Sequence, residues 1–228
     1  MAKKIVFINQ STGYLMIDIV NAYAESGKFD EIVLIAGTIS PIGTKLNKNI
    51  KVKKICRYVR TSKIVKTFTW LAATIQILFL ISFRYSKHDL FLVSNPPTIT
   101  FLGTLIHNKY SVLVFDIHPE GLAAIGIISE KDLIYRLWMK SNRIFYKKAD
   151  RIYTITDGMA ENLAKYCDKC KIKVVSLWPS SNFNKLVSRA DNRFIKIHGL
   201  QNQFIVQYSG NFGKGHNLHL MVDLAERM

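Results

Sequence analysis

Val112-Leu113-Val114-Phe115-Asp116-Ile117-His118-Pro119-Glu120 opens on four consecutive apolar residues and closes on three side chains able to exchange protons. A strand with one wet face would alternate apolar and polar residues. An unbroken apolar run instead predicts a strand covered by helices on both sides, as in parallel sheets. Glu31-Ile32-Val33-Leu34-Ile35-Ala36 reads the same way. Outward from these runs, short β-branched segments alternate with longer helical patterns, the order of βαβ units. Strands are predicted at Ile5 to Asn9, Glu31 to Ala36, Ile50 to Lys54, Leu90 to Ser94, Val112 to Asp116, Arg151 to Ile155 and Lys173 to Leu177. Helices are predicted at Tyr14 to Ser26, Ser62 to Tyr85, Thr98 to Asn108, Glu130 to Ala149 and Asp157 to Tyr166. The expected fold class is α/β, a Rossmann-like doubly wound parallel sheet over residues 1–178.

Residues 179–202 are polar and basic without a sustained period, and read as a linker. Residues 203–228 open a second unit: a strand from Phe204 to Ser209, a glycine-rich turn from Gly210 to Gly215, and a helix from Asn217 to Met228. One strand and one helix cannot bury their own faces. The natural polypeptide is therefore expected to be longer, or this version to be truncated. The expected architecture is one complete Rossmann-like domain plus the first strand and helix of a second.

With 228 residues, 49% of them hydrophobic, the chain has ample material for a core. Its 32 Lys and Arg against 16 Asp and Glu leave a formal charge of +16, which calls for an anionic partner. No acidic residue occurs from Ile32 to His88, while that stretch carries eleven Lys and Arg. Embedded there is Thr67 to Phe83, seventeen residues without a formal charge. As a helix it would run about 26 Å, just short of a bilayer's hydrocarbon. Its polar residues, Thr67, Thr69, Thr74, Gln76 and Ser82, do not gather on one face of the sequence pattern. Three readings stay open: a helix packed in the core, a helix dipping into one leaflet, and a transmembrane span. The basic flank favours an anionic membrane surface, each Lys or Arg near such lipid contributing about 1 kcal/mol.

The first apolar run ends at Ile8, too short for the core of a signal peptide. Cys56, Cys167 and Cys170 are expected as reduced thiols, and the protein as cytoplasmic, peripheral to the inner face of the plasma membrane. Cys167 and Cys170 form a CxxC without the further ligands of a structural zinc site, so no metal is expected.

Four loops carry candidate chemistry. Asp116, His118 and Glu120 follow a central strand at its carboxyl end, the edge where open α/β sheets bind ligands. Together they offer general acid–base groups or partners for sugar hydroxyls, although a capped turn would use similar residues. Ser94 and Asn95, before Pro96 and Pro97, share that edge, with the prolines suited to starting a helix. The turn Asn9 to Gly13 sets Gly13 before a helix N-terminus, suited to an anion and equally to a plain βα turn. Gly210-Asn211-Phe212-Gly213-Lys214-Gly215 allows close backbone approach with Lys214 beside it, but its glycine order is neither that of a dinucleotide fingerprint nor of a P-loop.

Taken in order, these stretches resemble family 4 glycosyltransferases, in particular the bacterial enzymes of capsule, O-antigen and colanic-acid type polysaccharides. Leu92 to Pro97 looks like the strand and S-x-P-P segment of that group, and Val114 to Glu120 like its D-x-x-P-E/D segment. Ile155-Thr156-Asp157-Gly158-Met159 is similar to the turn where the family begins a helix. Tyr208 to Gly215 is similar to the Y-x-G-N-x-G turn opening its donor domain. The resemblance implies a GT-B fold with two facing domains, and retaining, metal-independent transfer without a cofactor. The donor would be a nucleotide-diphosphate sugar and the acceptor a polyprenyl-diphosphate-linked sugar or polysaccharide. It places Asp116, His118 and Glu120 near the reacting centre, Gly13, Ser94 and Asn95 on the acceptor side, and Gly210, Asn211, Lys214 and Gly215 at the donor. Asn211 stands where many relatives carry Arg, and no E-x7-E segment follows within the sequence. The isolated chain is therefore expected to be inactive. The competing reading is a basic, membrane-associated or nucleic-acid-binding α/β protein without catalysis. No nucleic acid is expected as a partner, because no RNA- or DNA-binding motif accompanies the charge.

Overall fold

The structure is a computed structural model that describes residues 2–180, 186–210 and 218–227. The chain divides into two compact units, residues 1–182 and 183–228.

The first unit is built on a seven-stranded parallel sheet. Its strands are β1 (Lys4–Ile8), β3 (Glu31–Ala36), β5 (Lys51–Lys54), β6 (Asp89–Val93), β7 (Tyr110–Val114), β8 (Arg151–Thr154) and β9 (Ile172–Val174), in the order β5-β3-β1-β6-β7-β8-β9. Every pairing is parallel, with Ile5 opposite Ile32 on one side and Asp89 on the other. The chain winds outward from β1 in one direction, then returns and winds outward in the other. The Rossmann-like fold is as expected.

Side chains alternate between the two faces of each strand. Val6, Ile8, Val33, Ile35, Leu92, Val112 and Val114 point to one face, under α2 (Lys63–Phe79), α4 (Leu133–Lys148) and α5 (Asp157–Leu163). Ile5, Phe7, Ile32, Leu34, Phe91 and Leu113 point to the other, under α1 (Tyr14–Glu25). Both sets are buried, which is why the strands read as unbroken apolar runs. Two short strands, β2 (Ser11–Thr12) and β4 (Thr38–Ile39), pair beside the sheet.

Three elements depart from expectation. Thr98 to Asn108, expected as an α-helix, is a 3-10 segment over Pro97–Thr104. Its β-branched Thr98, Ile99 and Thr100 and its Gly103 have little intrinsic helix preference, and packing decides the winding. The Thr98 hydroxyl lies 2.5 Å from that of Thr74, and Thr100 Oγ1 accepts from Trp138 Nε1 at 3.1 Å. A Cβ on Gly103 would stand 2.8 Å from Phe145 Cα, so α4 needs a glycine there. The helix from Ser62 runs as α2 and continues as a π turn, Leu80–Arg84. A short helix, α3 (Glu120–Ala124), follows Pro119 where only a loop was expected.

In the second unit, α6 (Arg193–Ile197) lies inside the expected linker, its N-terminus capped by Asn192 Oδ1, which accepts from the amides of Phe194 and Ile195. Arg189 donates to the carbonyls of Leu200 and Gln201, each at 2.9 Å. Phe204 to Ser209, expected as the first strand of a second Rossmann-like domain, forms no strand. A strand needs a neighbour to satisfy its backbone, and among the described residues of this unit none is present. The expected terminal helix is α7 (His219–Glu226).

Candidate functional site

The sheet order reverses between β1 and β6, and the candidate residues of the first unit gather at the carboxyl ends of β1, β6 and β7. This switch point is where a crevice opens in doubly wound sheets. The loops there are tied together by their own backbones. The Gln10 amide donates to the Asn95 carbonyl at 2.9 Å, and the Ser94 amide to the Leu113 carbonyl at 3.0 Å. Ser94 Oγ accepts from the amides of Phe115 and Asp116 at 3.0 and 3.4 Å. Ser94 is buried, so it acts as a clamp joining the β6 and β7 loops. The Asn95–Pro96 and His118–Pro119 peptides are cis.

A groove of about 340 Å³ runs along this edge, lined by Ser94, Asn95, Asp116 and His118 from the loops, and by Tyr58, Arg60, Lys66 and Trp70 from the approach to α2 and its first turns. Asp116 is exposed and is the groove's one acidic lining residue, set against Arg60 and Lys66. Tyr58 and Trp70 stack at 5.7 Å with rings 9° from parallel. Arg60 lies over the Tyr58 ring at 5.1 Å and Lys66 over Trp70 at 4.6 Å. The cations are therefore held at the groove by aromatic faces, a geometry that attracts positive charge.

His118 is held from behind. Asn142, fully buried in α4, donates Nδ2–H to the His118 carbonyl at 2.5 Å, and the imidazole sits 5.9 Å from the Trp138 ring. Burial pushes the His118 pKa below its ordinary value; Asp116 works against that shift and Lys66 adds to it. The ring is accordingly neutral at pH 7, and its buried Nδ1 has no hydrogen-bond partner. A neutral imidazole can accept a proton.

The structure brings Asp116, His118, Ser94 and Asn95 to one groove and sets Glu120 apart. The Glu120 carboxylate accepts from the Tyr166 hydroxyl, beyond α5, and does not line the groove. Burial, with the Glu120 hydrogen bond second, holds the Tyr166 pKa well above its ordinary value. Gly13 caps α1 and lines a neighbouring recess with Ser11, Thr12, Thr38, Ser40, Tyr58 and Arg60, so the two recesses share Tyr58 and Arg60. Gly210 is exposed in the second unit beside the Tyr208 ring. Asn211, Lys214 and Gly215 lie outside the described residues. Among the described residues no cluster of three His, Cys, Asp or Glu is placed to hold a metal ion.

Sequence reasoning missed Tyr58, Arg60, Lys66 and Trp70 as groove residues. Lys66 and Trp70 are four apart on a helix and so share a face, but only packing shows that this face looks into the groove. Gln10 was also missed. Fully buried, it donates to the carbonyls of Cys56 and Thr69 at 3.1 and 3.0 Å, joining the β1 turn to the groove's basic wall.

No family model matches the sequence. The chain is 29% identical over 118 residues to "Probable glycosyltransferase WbjE" of Pseudomonas aeruginosa, a match covering 51% of this chain and 30% of that protein. Among solved structures it is similar to WaaG, a glycosyltransferase involved in lipopolysaccharide biosynthesis, with 11% identity, a TM-score of 0.47, and coverage of 87% of this chain and 52% of that one. It is also similar to a UGT transferase from Siraitia grosvenorii in complex with UDP, with 10% identity, a TM-score of 0.49, and coverage of 88% and 56%. The chain thus spans about half the length of these solved structures and under a third of the curated relative.

Proposed function

We propose that the chain carries the acceptor-side domain of a glycosyltransferase of the GT-B, family 4 type, which transfers a sugar from a nucleotide-diphosphate donor to a lipid-linked or polysaccharide acceptor. One observation supports it above the others. A neutral imidazole and a carboxylate share a groove at the sheet's switch point with two aromatic-backed cations. Asp116 and His118 would engage the acceptor hydroxyl and its proton. Arg60 and Lys66 would meet the diphosphate of a polyprenyl-linked acceptor, since paired cations suit a doubly charged group. Ser94 positions the two loops, Asn95 lines the acceptor side of the groove, and Glu120, bonded to Tyr166, stands outside it. The name carried by the Pseudomonas relative is consistent with this reading. Retention of configuration, independence from metal and cofactor, bacterial polysaccharide as the product, a donor site at Gly210 to Gly215, inactivity of these residues alone, and a place on the inner face of the plasma membrane all belong to the same proposal.

The test uses Trp70 as reporter. Adding a short-chain prenyl diphosphate to the 228-residue chain is expected to change its fluorescence, and Trp70→Phe should remove the change. A change that also disappears in Lys66→Ala supports the reading. No change, or one undiminished in Lys66→Ala and Arg60→Ala, overturns it.

A further inference from the structure

Helix α2 is turned inside out for a protein in water. Its buried side holds Thr69 and Thr74 beside Ala73 and Ile77. The Thr74 hydroxyl donates to the Trp70 carbonyl at 2.8 Å and the Thr69 carbonyl accepts from Gln10. Its outward side carries Ile64, Phe68, Leu71, Ile75 and Phe79, continued by Phe83 in the π turn. Ile64 is 82% exposed, Phe68 69% and Phe83 80%, and the rings of Phe79 and Phe83 stack at 5.9 Å. Spacings of four, three, four and four keep the first five within about 80° of arc at 3.6 residues per turn. From Ile64 to Phe83 the ridge is about 28 Å long. Of the polar residues that gave the sequence no clean amphipathic face, Thr69 and Thr74 are buried, while Thr67, Gln76 and Ser82 stay exposed among the apolar side chains.

That ridge is fringed by charge of one sign. Exposed Lys53, on the sheet face that α2 covers, precedes it with Arg57, Arg60 and Lys63, and Arg84 and Lys87 follow it, with no acidic residue between Ile32 and His88. An apolar partner protein would not require such a fringe. A bilayer with anionic headgroups requires both parts: acyl chains for the ridge and phosphates for the cations.

We infer that the ridge from Ile64 to Phe83 is a membrane-docking face that lies in one leaflet of an anionic bilayer, parallel to its surface, without crossing it. Lys63–Arg84 is long and apolar enough to cross a membrane. Spanning would, however, withdraw Thr69, Ala73, Thr74 and Ile77 from the core and break the bonds to Gln10 and to Cys56, whose amide donates to Gln76 Oε1 at 2.6 Å. Lying flat keeps all of them. The inference deepens the membrane placement proposed above and rests on it. Lys66 and Trp70 line the groove from the side of the same helix turned away from the ridge, so docking would hold the groove one helix diameter, about 10 Å, above the lipid surface on which a lipid-linked substrate is presented.

The experiment is vesicle flotation of the purified 228-residue chain without any substrate. Vesicles containing phosphatidylglycerol are expected to carry the protein up, and pure phosphatidylcholine vesicles to carry at least about ten-fold less. Phe68→Ser with Phe79→Ser should lower flotation about ten-fold or more while leaving the far-ultraviolet circular dichroism unchanged. Lys53→Glu with Arg57→Glu, two exposed cations ahead of the helix and outside the groove, should lower it independently of the ridge. High salt or alkaline carbonate should release the wild type. Retention after carbonate would mean a span and overturn the inference. So would undiminished flotation of both variants, or lipid-free self-association abolished by Phe68→Ser. Because prenyl diphosphate binding reads the groove and flotation reads the ridge, failure of either reading is seen separately.

Discussion

Asn142 Nδ2, in the middle of α4, donates to the main-chain oxygen of His118 at 2.5 Å. A helix that packs on one face of the sheet thereby holds the loop leaving a central strand. The geometry of Asp116 and His118 is set by a residue that touches neither side chain's reactive atoms.

Asn142→Ala should cost about 1–3 kcal/mol, since it strands a buried carbonyl. Urea unfolding measures the loss. If the loop is positioned as described, prenyl diphosphate binding to the folded variant should weaken as well. A variant as stable as wild type would show that the bond holds nothing.

His118 makes stability depend on pH. Its folded-state pKa lies below the ordinary 6.5 because burial disfavours its charged form. In the window between the lowered pKa and 6.5 the unfolded chain binds more protons than the folded one, so stability falls as pH drops. The contribution is complete above about pH 6.5 and lost below the folded pKa. His118→Gln should flatten this slope in urea titrations at pH 7.5 and pH 5. A difference between wild type and variant that is constant with pH would contradict the assignment.

Gly37→Ala should destabilise by about 1–3 kcal/mol through overpacking. A Cβ there would stand 2.6 Å from the Cys56 carbonyl oxygen and 2.8 Å from Arg57 Cα, both backbone atoms unable to swing aside. Because Cys56 and Arg57 lead directly into Tyr58 and Arg60 of the groove wall, thermal unfolding and Trp70 fluorescence should report the change together.

Lys66→Ala should weaken prenyl diphosphate binding about 10- to 100-fold, the loss of one charge-assisted bond worth roughly 1.5–3 kcal/mol. Lys66→Arg should recover part of it, because the cation is kept over Trp70. Equal affinity in wild type and Lys66→Ala, read by calorimetry, would remove Lys66 from the proposed site.

The parallel sheet was legible because strands covered on both sides cannot hide their apolar runs, as Glu31 to Ala36 and Val112 to Phe115 illustrate. Asp116, His118, Ser94 and Asn95 were legible for a related reason: the carboxyl end of a strand is a position in sequence as well as in space. Arg60, Lys66 and Trp70 were not, because a charge run names its members without saying which turn inward. Phe204 to Ser209 misled in the opposite sense, since its composition suits a strand but pairing requires a neighbour.

Local order along the chain, then, determined the alternation of strands and helices, the excess of positive charge, and the loops on which polar groups would sit. The tertiary structure decided which face of each helix meets the core. For α2 that choice sends Thr69 and Thr74 inward and Phe68 and Phe79 outward, because Thr98 offers the Thr74 hydroxyl a partner and Gln10 bonds the Thr69 carbonyl, contacts that no reading of the helix alone contains.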